Sequence, residues 1–298
     1  EMSERQSTFT EKCYGIQRVC AVWQIPRSTV HYQLSRLAIS ESPVRTKPGP
    51  VGAATDEELV LLIRMTIETS PFHGEGYRKI WARLRYQGIR TSRERVRLLM
   101  RENGLQAQPG RPRDARTHNG TITTDQPDQM WGTDLTQTIT VEEGTAAVFV
   151  AVDHCTCECV GIHAAASANR FEALEPVHQG VAERFGGFEK GIAESLSLRH
   201  DHGTQYLSDD FQKEIKFLGI EASPSFVRCP QGNGCAERFI RTLKENLLWV
   251  HHFRTIEELR IALQEFQKTY NHQWLIERHG HKTPADFRVQ TQAARKAA

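Results

Sequence analysis

Apolar residues recur at helical spacing through the first third of the chain, then at alternating or continuous positions from residue 128 onward. In residues 10–37, Val19 and Val22 share one helical face and QIPRS forms a turn. Ser28 is positioned to cap a second helix carrying Val30, Leu34 and Leu37. This is a helix-turn-helix outline, with Arg27, Ser28 and His31 where bases or phosphates could be met. The Pro- and Gly-rich stretch SESPVRTKPGPVGAAT (40–55) reads as a linker. EELVLLIRMTIE (57–68) predicts an amphipathic helix with Leu59, Ile63 and Ile67 on one side. Residues 74–105 predict two more helices. Ile80 and Leu84 mark the first, Gly88 breaks it, and Val96, Leu99 and Met100 point inward from the second, which Thr91 and Glu94 are spaced to cap.

From 128 the period changes. QMWGTDLTQTIT, TAAVFVAVDH and CTCECVGIHAA predict three successive strands, with a turn at 142–144. A helix at 169–186 follows, then a short strand SLSLRHD, a helix TQYLSDDFQKEIKFLG and an edge strand LGIEASPS. NGCAERFIRTLKENLLWV predicts the next helix, and Leu259, Leu263 and Phe266 mark an amphipathic helix in the tail; residues 290–298 are expected to fray. The sequence therefore divides into an N-terminal helical segment (1–50), a second helix-turn-helix domain (56–107), a basic linker (108–127), an α/β core (128–253) and a C-terminal helical extension (254–298).

Charge sharpens this division. Residues 1–126 carry 20 Lys and Arg against 13 acids, while residues 127–298 carry 18 against 23, an asymmetry that the overall net charge of +2 conceals. Between 78 and 116 there are 12 basic residues and 3 acids. Arg90, Arg93, Arg95, Arg97 and Arg101 cluster on or just before the third helix of that region. Guanidinium forks match guanine edges and phosphates, so these five are candidate DNA contacts. No run approaches 18 apolar residues and no apolar signal segment opens the chain, which suggests a cytoplasmic, nucleoid-associated protein. Seven cysteines without a disulfide framework fit a reducing compartment.

Three carboxylates stand out in the acidic half: Asp134 in GTDLT, Asp201 in DHGTQY and Glu237 in GNGCAERF, with 35 residues between the last two. Lys244 follows Glu237 by two helical turns and Arg241 by about one, so both share its face. These words and spacings resemble the integrase core of insertion-sequence transposases, and most closely the downstream-frame product of the "IS three" family. The resemblance covers residues 74–288. It implies a ribonuclease H-like core, a mixed five-stranded sheet flanked by helices, behind an all-α DNA-binding region.

It further implies that Asp134, Asp201 and Glu237 are catalytic and hold two divalent ions, Mg²⁺ or Mn²⁺, which take hard oxygen donors. Lys244, Arg241 and Asn233 are then expected near the DNA end, with Gly203 and Gln205 shaping the loop after Asp201. Double-stranded DNA, a homo-oligomer and an upstream-frame partner or fusion are the implied partners. His200 stands where the family often carries Ser. Asp153 is read as structural. Cys155, Cys157 and Cys159 are read as buried thiols on one strand face, because zinc ligands sit on tight turns rather than along a strand. A non-catalytic DNA-binding regulator and a nuclease that cuts without joining are the competing readings.

Overall fold

The computed structural model describes residues 3–38, 54–107, 122, 124–224 and 233–297. Residues 1–2, 39–53, 108–121, 123, 225–232 and 298 lie outside the described residues, and with them most of the expected basic linker. The chain divides into two compact units, Glu1–Val51 and Gly52–Ala298.

The first unit contains α1 (Gly15–Val22) and α2 (Arg27–Ala38). The expected helix pair is present with two corrections. Ser28 lies inside α2 rather than capping it, because the helix already begins after Pro26. Val22 is 72% exposed while Cys20 is buried, so the inward face of α1 is rotated from the one Val22 marks.

The second unit begins with α3 (Asp56–Thr69), α4 (Tyr77–Tyr86) and α5 (Arg93–Glu102). They pack around Leu59, Ile63, Ile80, Leu84, Val96, Leu99 and Met100. Thr55 and Glu58 form a reciprocal capping box at the start of α3. The cap of α5 is Ser92, whose hydroxyl accepts from the Arg95 amide at 3.1 Å, and not Thr91, whose carbonyl is taken by the Trp81 indole at 2.9 Å.

The core is a five-stranded sheet in the order β3-β2-β1-β4-β5. Its strands are β1 (Met130–Thr140), β2 (Gly144–Asp153), β3 (Cys159–Ala165), β4 (Ser197–His200) and β5 (Glu221–Pro224). The first three are antiparallel neighbours, and β4 and β5 add in parallel on the other side of β1. Helices α6 (Arg170–Phe185) and α7 (Asp209–Phe217) cover one face; α8 (Gly234–Leu243), a π-helical turn (Lys244–Leu248) and α9 (Ile256–Gln273) cover the other. This is the ribonuclease H-like arrangement.

The reason lies in β2, which is apolar and buried from Ala146 to Val152. Val148, Val150 and Val152 point to the α8–α9 side, and Ala147, Phe149 and Ala151 to the α6–α7 side, so both faces must be covered. Helix α9 is part of this core through Leu259, Leu263, Phe266 and Tyr270, so packing continues without a break past residue 253. Its polar side chains also engage the outer edge of β3. Asn271 bonds both the Cys159 amide and carbonyl at 2.9 Å, Gln267 donates to that carbonyl at 2.8 Å, and Arg260 donates to the Ala164 carbonyl at 2.8 Å.

Two further expectations change. Only Cys159 opens β3; Cys155 and Cys157 lie in the turn before it, with Cys157 at φ 58°, so the three do not share a strand face, although all are buried. The tail does not fray at 290, because α10 (Pro284–Ala297) is helical to Ala297.

The three-helix module is fastened to the core at the α3–α4 connection. Phe72 sits against Trp274 (ring centroids 4.8 Å apart) and Phe266 (6.3 Å), and the His73 amide donates to Asn246 Oδ1 at 2.7 Å. The Tyr86 hydroxyl reaches the His281 carbonyl at 3.0 Å. Phe72→Ala is expected to destabilise the protein by about 3 kcal/mol through loss of this buried ring, measured by denaturant unfolding.

Candidate active site

The parallel pairing of β1 and β4 organises the site. Met130 pairs with Ser197, Trp131 with Leu198 and Gly132 with Arg199. Continuing the same offset by two residues brings Asp134, within β1, level with Asp201, just past the carboxyl end of β4; neighbouring strands run about 4.8 Å apart. Crevices at such ends are where open α/β sheets bind ligands. Glu237 is added from the first turn of α8, whose unpaired amides favour a carboxylate.

Asp134 is largely buried, and burial pushes its carboxyl up to about 6. The Leu135 amide, donating at 2.8 Å, and the Lys244 ammonium pull it down, while the negative charges of Asp201 and Glu237 push it further up. Asp201, Glu237 and Lys244 therefore all act on the Asp134 carboxyl. Among the described residues, no three His, Cys, Asp or Glu side chains already stand as a metal-binding cluster. The donor set nevertheless fits a hard divalent ion, since all three acids offer carboxylate oxygen and Asp134 bears a partly unmet negative charge.

The loop after β4 is shaped by its glycine. Asp201 Oδ1 accepts from the Gly203 amide at 2.8 Å, and a Cβ on Gly203 would come within 2.9 Å of that carboxylate and run into Gln205. The residues just before the two aspartates share a support that the sequence did not single out. Tyr206 is fully buried, its hydroxyl accepts from Thr133 Oγ1 at 3.4 Å, and its ring stacks on His200 at 5.6 Å. Burial lowers the His200 imidazole below its ordinary value, and Nδ1 lies 2.7 Å from the Asp201 carbonyl, so His200 packs behind the site; His202 is exposed. The only trace of Tyr206 in the sequence is its place in DHGTQY.

Asn233 requires a correction. It is 6% exposed and its amide donates to the Thr133 carbonyl at 2.8 Å, so it clasps the start of α8 to β1 instead of facing DNA. Gly132 makes room for it, since a Cβ there would meet Asn233 Oδ1 and lie 2.9 Å from His154 Nε2. Asp153 is buried and accepts from the Thr156 amide and hydroxyl and the Asp128 amide at 2.7–2.9 Å, consistent with a structural role. Arg241 is exposed and pairs with Glu245 at 2.7 Å.

The five arginines of the helical module fall into two groups. Arg95 binds Asp56 at 2.7 Å and the Ala54 carbonyl at 2.8 Å, Arg97 pairs with Glu94, and Arg93 lies over the Trp81 ring at 5.4 Å. Arg90 and Arg101 are exposed.

Comparison with known proteins agrees with this architecture. A family model described as an HTH-like domain matches residues 55–113, and two described as integrase core domains match 124–230 and 218–284. The transposase InsD of the insertion element IS2A/D/F/H/I/K of Escherichia coli is 24% identical over 287 residues, covering 92% of this chain and 91% of that protein. The InsD of element IS2-9 of strain K12 is equally identical over 92% of this chain and 89% of its own length.

Similar solved structures include the catalytic core domain of BIV integrase (TM-score 0.41, 18% identity, 57% of this chain and 99% of that one). Another is the HTLV-2 integrase catalytic core domain in complex with magnesium (TM-score 0.40, 17% identity, 55% and 97%). An HTH-like domain followed by an integrase core places the chain in the transposase and integrase class. Along nearly its whole length the chain is similar to insertion-sequence transposases of the InsD type.

The raised Asp134 carboxyl has a consequence for stability. Between about pH 4 and 6 the folded protein binds this proton more readily than the unfolded chain, so stability falls as pH rises through that window. Above about 6 the penalty is complete. Asp134→Asn is therefore expected to stabilise the metal-free protein by about 2–3 kcal/mol at pH 7.5 and by much less at pH 4, measured by chemical unfolding at both pH values.

Proposed function

We propose that this transposase is a polynucleotidyl transferase that frees a 3′-hydroxyl at the ends of its insertion sequence and joins it to target DNA. The observation that carries the reading is the shared strand offset of Asp134 and Asp201, with Glu237 and Lys244 both acting on the Asp134 carboxyl. Asp134, Asp201 and Glu237 would hold two Mg²⁺ or Mn²⁺ ions, which supply Lewis acidity at the attacking and leaving oxygens.

In the first step, water attacks phosphorus at the element's end and the 3′ oxygen leaves. In the second, that 3′-hydroxyl attacks a target phosphorus and a target 3′ oxygen leaves. Lys244 meets a phosphate of the bound end, and Asn233 keeps Glu237 in register with Asp134. The three-helix module binds double-stranded end DNA through exposed Arg90 and Arg101, and two ends acting together call for at least a dimer. Among the described residues no helix is long and apolar enough to cross a membrane, and cytoplasmic action on DNA accords with that. An upstream-frame product is the natural candidate to complete end recognition.

Labelled end DNA and a plasmid target with Mg²⁺ or Mn²⁺ test the chemistry. Joined products are expected from the wild type and from none of Asp134→Asn, Asp201→Asn and Glu237→Gln. Cleavage without joining would make the protein a nuclease, and activity surviving one substitution would remove that carboxylate from the site. For the helical module, Arg101→Ala is expected to reduce the salt slope of DNA binding by about one phosphate contact without loss of stability. Arg95→Ala is expected to lower stability instead, since its guanidinium ties α5 to the start of α3. Titrations in varied salt, beside thermal unfolding, separate the two.

A further inference from the structure

The cysteines of the core form a pair that the chemistry above does not use. Cys157 lies in the turn between β2 and β3, and Cys235 in the first turn of α8, 78 residues later in the chain. Their sulfurs are 3.3 Å apart, both side chains are buried, and Cys235 also lies 3.6 Å from the Asp153 carbonyl. The Arg278 guanidinium touches Cys157 Sγ at 2.8 Å while holding the carbonyls of His154 at 2.8 Å and Cys155 at 3.1 Å. A hydrogen bond from Cys235 and the charge of Arg278 hold the Cys157 thiol below its ordinary value. Cys159 differs: it lies at the foot of β3 with its thiol on the Gly161 carbonyl at 3.4 Å.

We propose that Cys157 and Cys235 are a peroxide-sensitive thiol pair whose disulfide displaces the Glu237 helix and switches the transposase off. A peroxide transfers one oxygen to Cys157 sulfur as its O–O bond breaks, giving a sulfenic acid and one water. Cys235 sulfur then attacks Cys157, the S–O bond breaks, and a second water leaves with the remaining thiol proton. The bond requires the sulfurs to close to about 2.05 Å, a movement of more than ~1 Å.

The β2–β3 turn is poorly placed to yield. Asp153 fixes it through Thr156, the Cys157 amide donates to the Asp153 carbonyl at 2.9 Å, and Arg278 grips it from outside. Helix α8 has no side-chain cap hydrogen bond at its start and is tied to β1 there through the Asn233 amide, so closure is expected to strain that tie rather than the β2–β3 turn. Glu237 follows Cys235 by two residues in the first turn of α8, and the Asn233 clasp to β1 lies on its other side. Closure therefore shifts Glu237 against Asp134.

The activity arm rests on the proposed chemistry, but the cross-link arm does not. Full-length protein is treated with hydrogen peroxide, alkylated under denaturing conditions and mapped by tandem mass spectrometry. The expected product is a Cys157–Cys235 cross-link reversed by dithiothreitol, absent from Cys157→Ser and Cys235→Ser and retained in Cys229→Ser and Cys155→Ser. DNA end cleavage by the oxidised wild type should fall about 100-fold, the cost of a ~1 Å misplacement, and recover on reduction. Cys157→Ser should be indifferent to peroxide.

Two thiols that remain alkylatable, or a cross-link from Cys235 to another cysteine, would overturn the pairing. A cross-linked protein with undiminished cleavage would overturn the switch. Reduced protein that forms the cross-link but never cleaves DNA would instead count against the proposed reaction, leaving the pairing supported.

Discussion

The structure depends on the parallel pairing of β1 with β4. It is short, three residue pairs, yet it sets Asp134 of β1 level with the end of β4, a strand from a distant position in the chain. Parallel strands cannot be joined by a tight turn, so the connection must leave the sheet and return through a helix, here α6. That crossover covers one face of β2, and α8 and α9 cover the other. The covered sheet in turn holds Asp134 in a largely buried position, where neighbouring negative charge is costly. Glu237 arrives from a helix on the opposite layer, so the site exists only when both layers are assembled. Folding and chemistry here share one geometric requirement.

The same burial sets the character of the site. A carboxyl held near 6 is mostly ionised at neutral pH but titrates close to it, and each nearby cation would change that balance. Lys244 is already one such cation. The aromatic support behind the acids, Tyr206 against His200 and Thr133, contributes no charge of its own; it fixes backbone. Asn233 does likewise from the other side. Rigid neutral contacts surround a flexible charge balance, which is the division of labour expected where ligand position must be exact to well under 1 Å.

Much of this was legible in the residues. The continuous apolar run of β2 called for cover on both faces, and the three acids stood in recognisable words. What stayed hidden depended on contacts between distant segments. Asn233 looked like a surface polar residue at a helix entrance, and only the carbonyl of Thr133, 100 positions earlier, explains its burial. Cys155, Cys157 and Cys159 alternate as a strand would, but Asp153 folds the first two into a turn through Thr156. Thr91 and Ser92 are equally good caps by composition; the Trp81 indole, by taking the Thr91 carbonyl, accompanies the choice of Ser92. The arginines on and before α5 looked alike, and contacts with Asp56, Glu94 and Trp81 set Arg95, Arg97 and Arg93 apart from Arg90 and Arg101. Phe72 gave no periodic signal because it sits in a connection, with its partners 190 and more residues away.

The two margins of the sheet have a further consequence. An open sheet ends in rows of unpaired backbone groups that can recruit strands from other molecules. On one side, Asn271, Gln267 and Arg260 of α9 occupy the amides and carbonyls of β3 as a neighbouring strand would. On the other side, β5 is four residues long and ends at Pro224, which has no N–H to offer. Among the described residues, the β3 border is thus partly occupied and the β5 border is short. Copies assembling on DNA as proposed would then meet through surfaces other than these borders, without their sheets fusing into fibres.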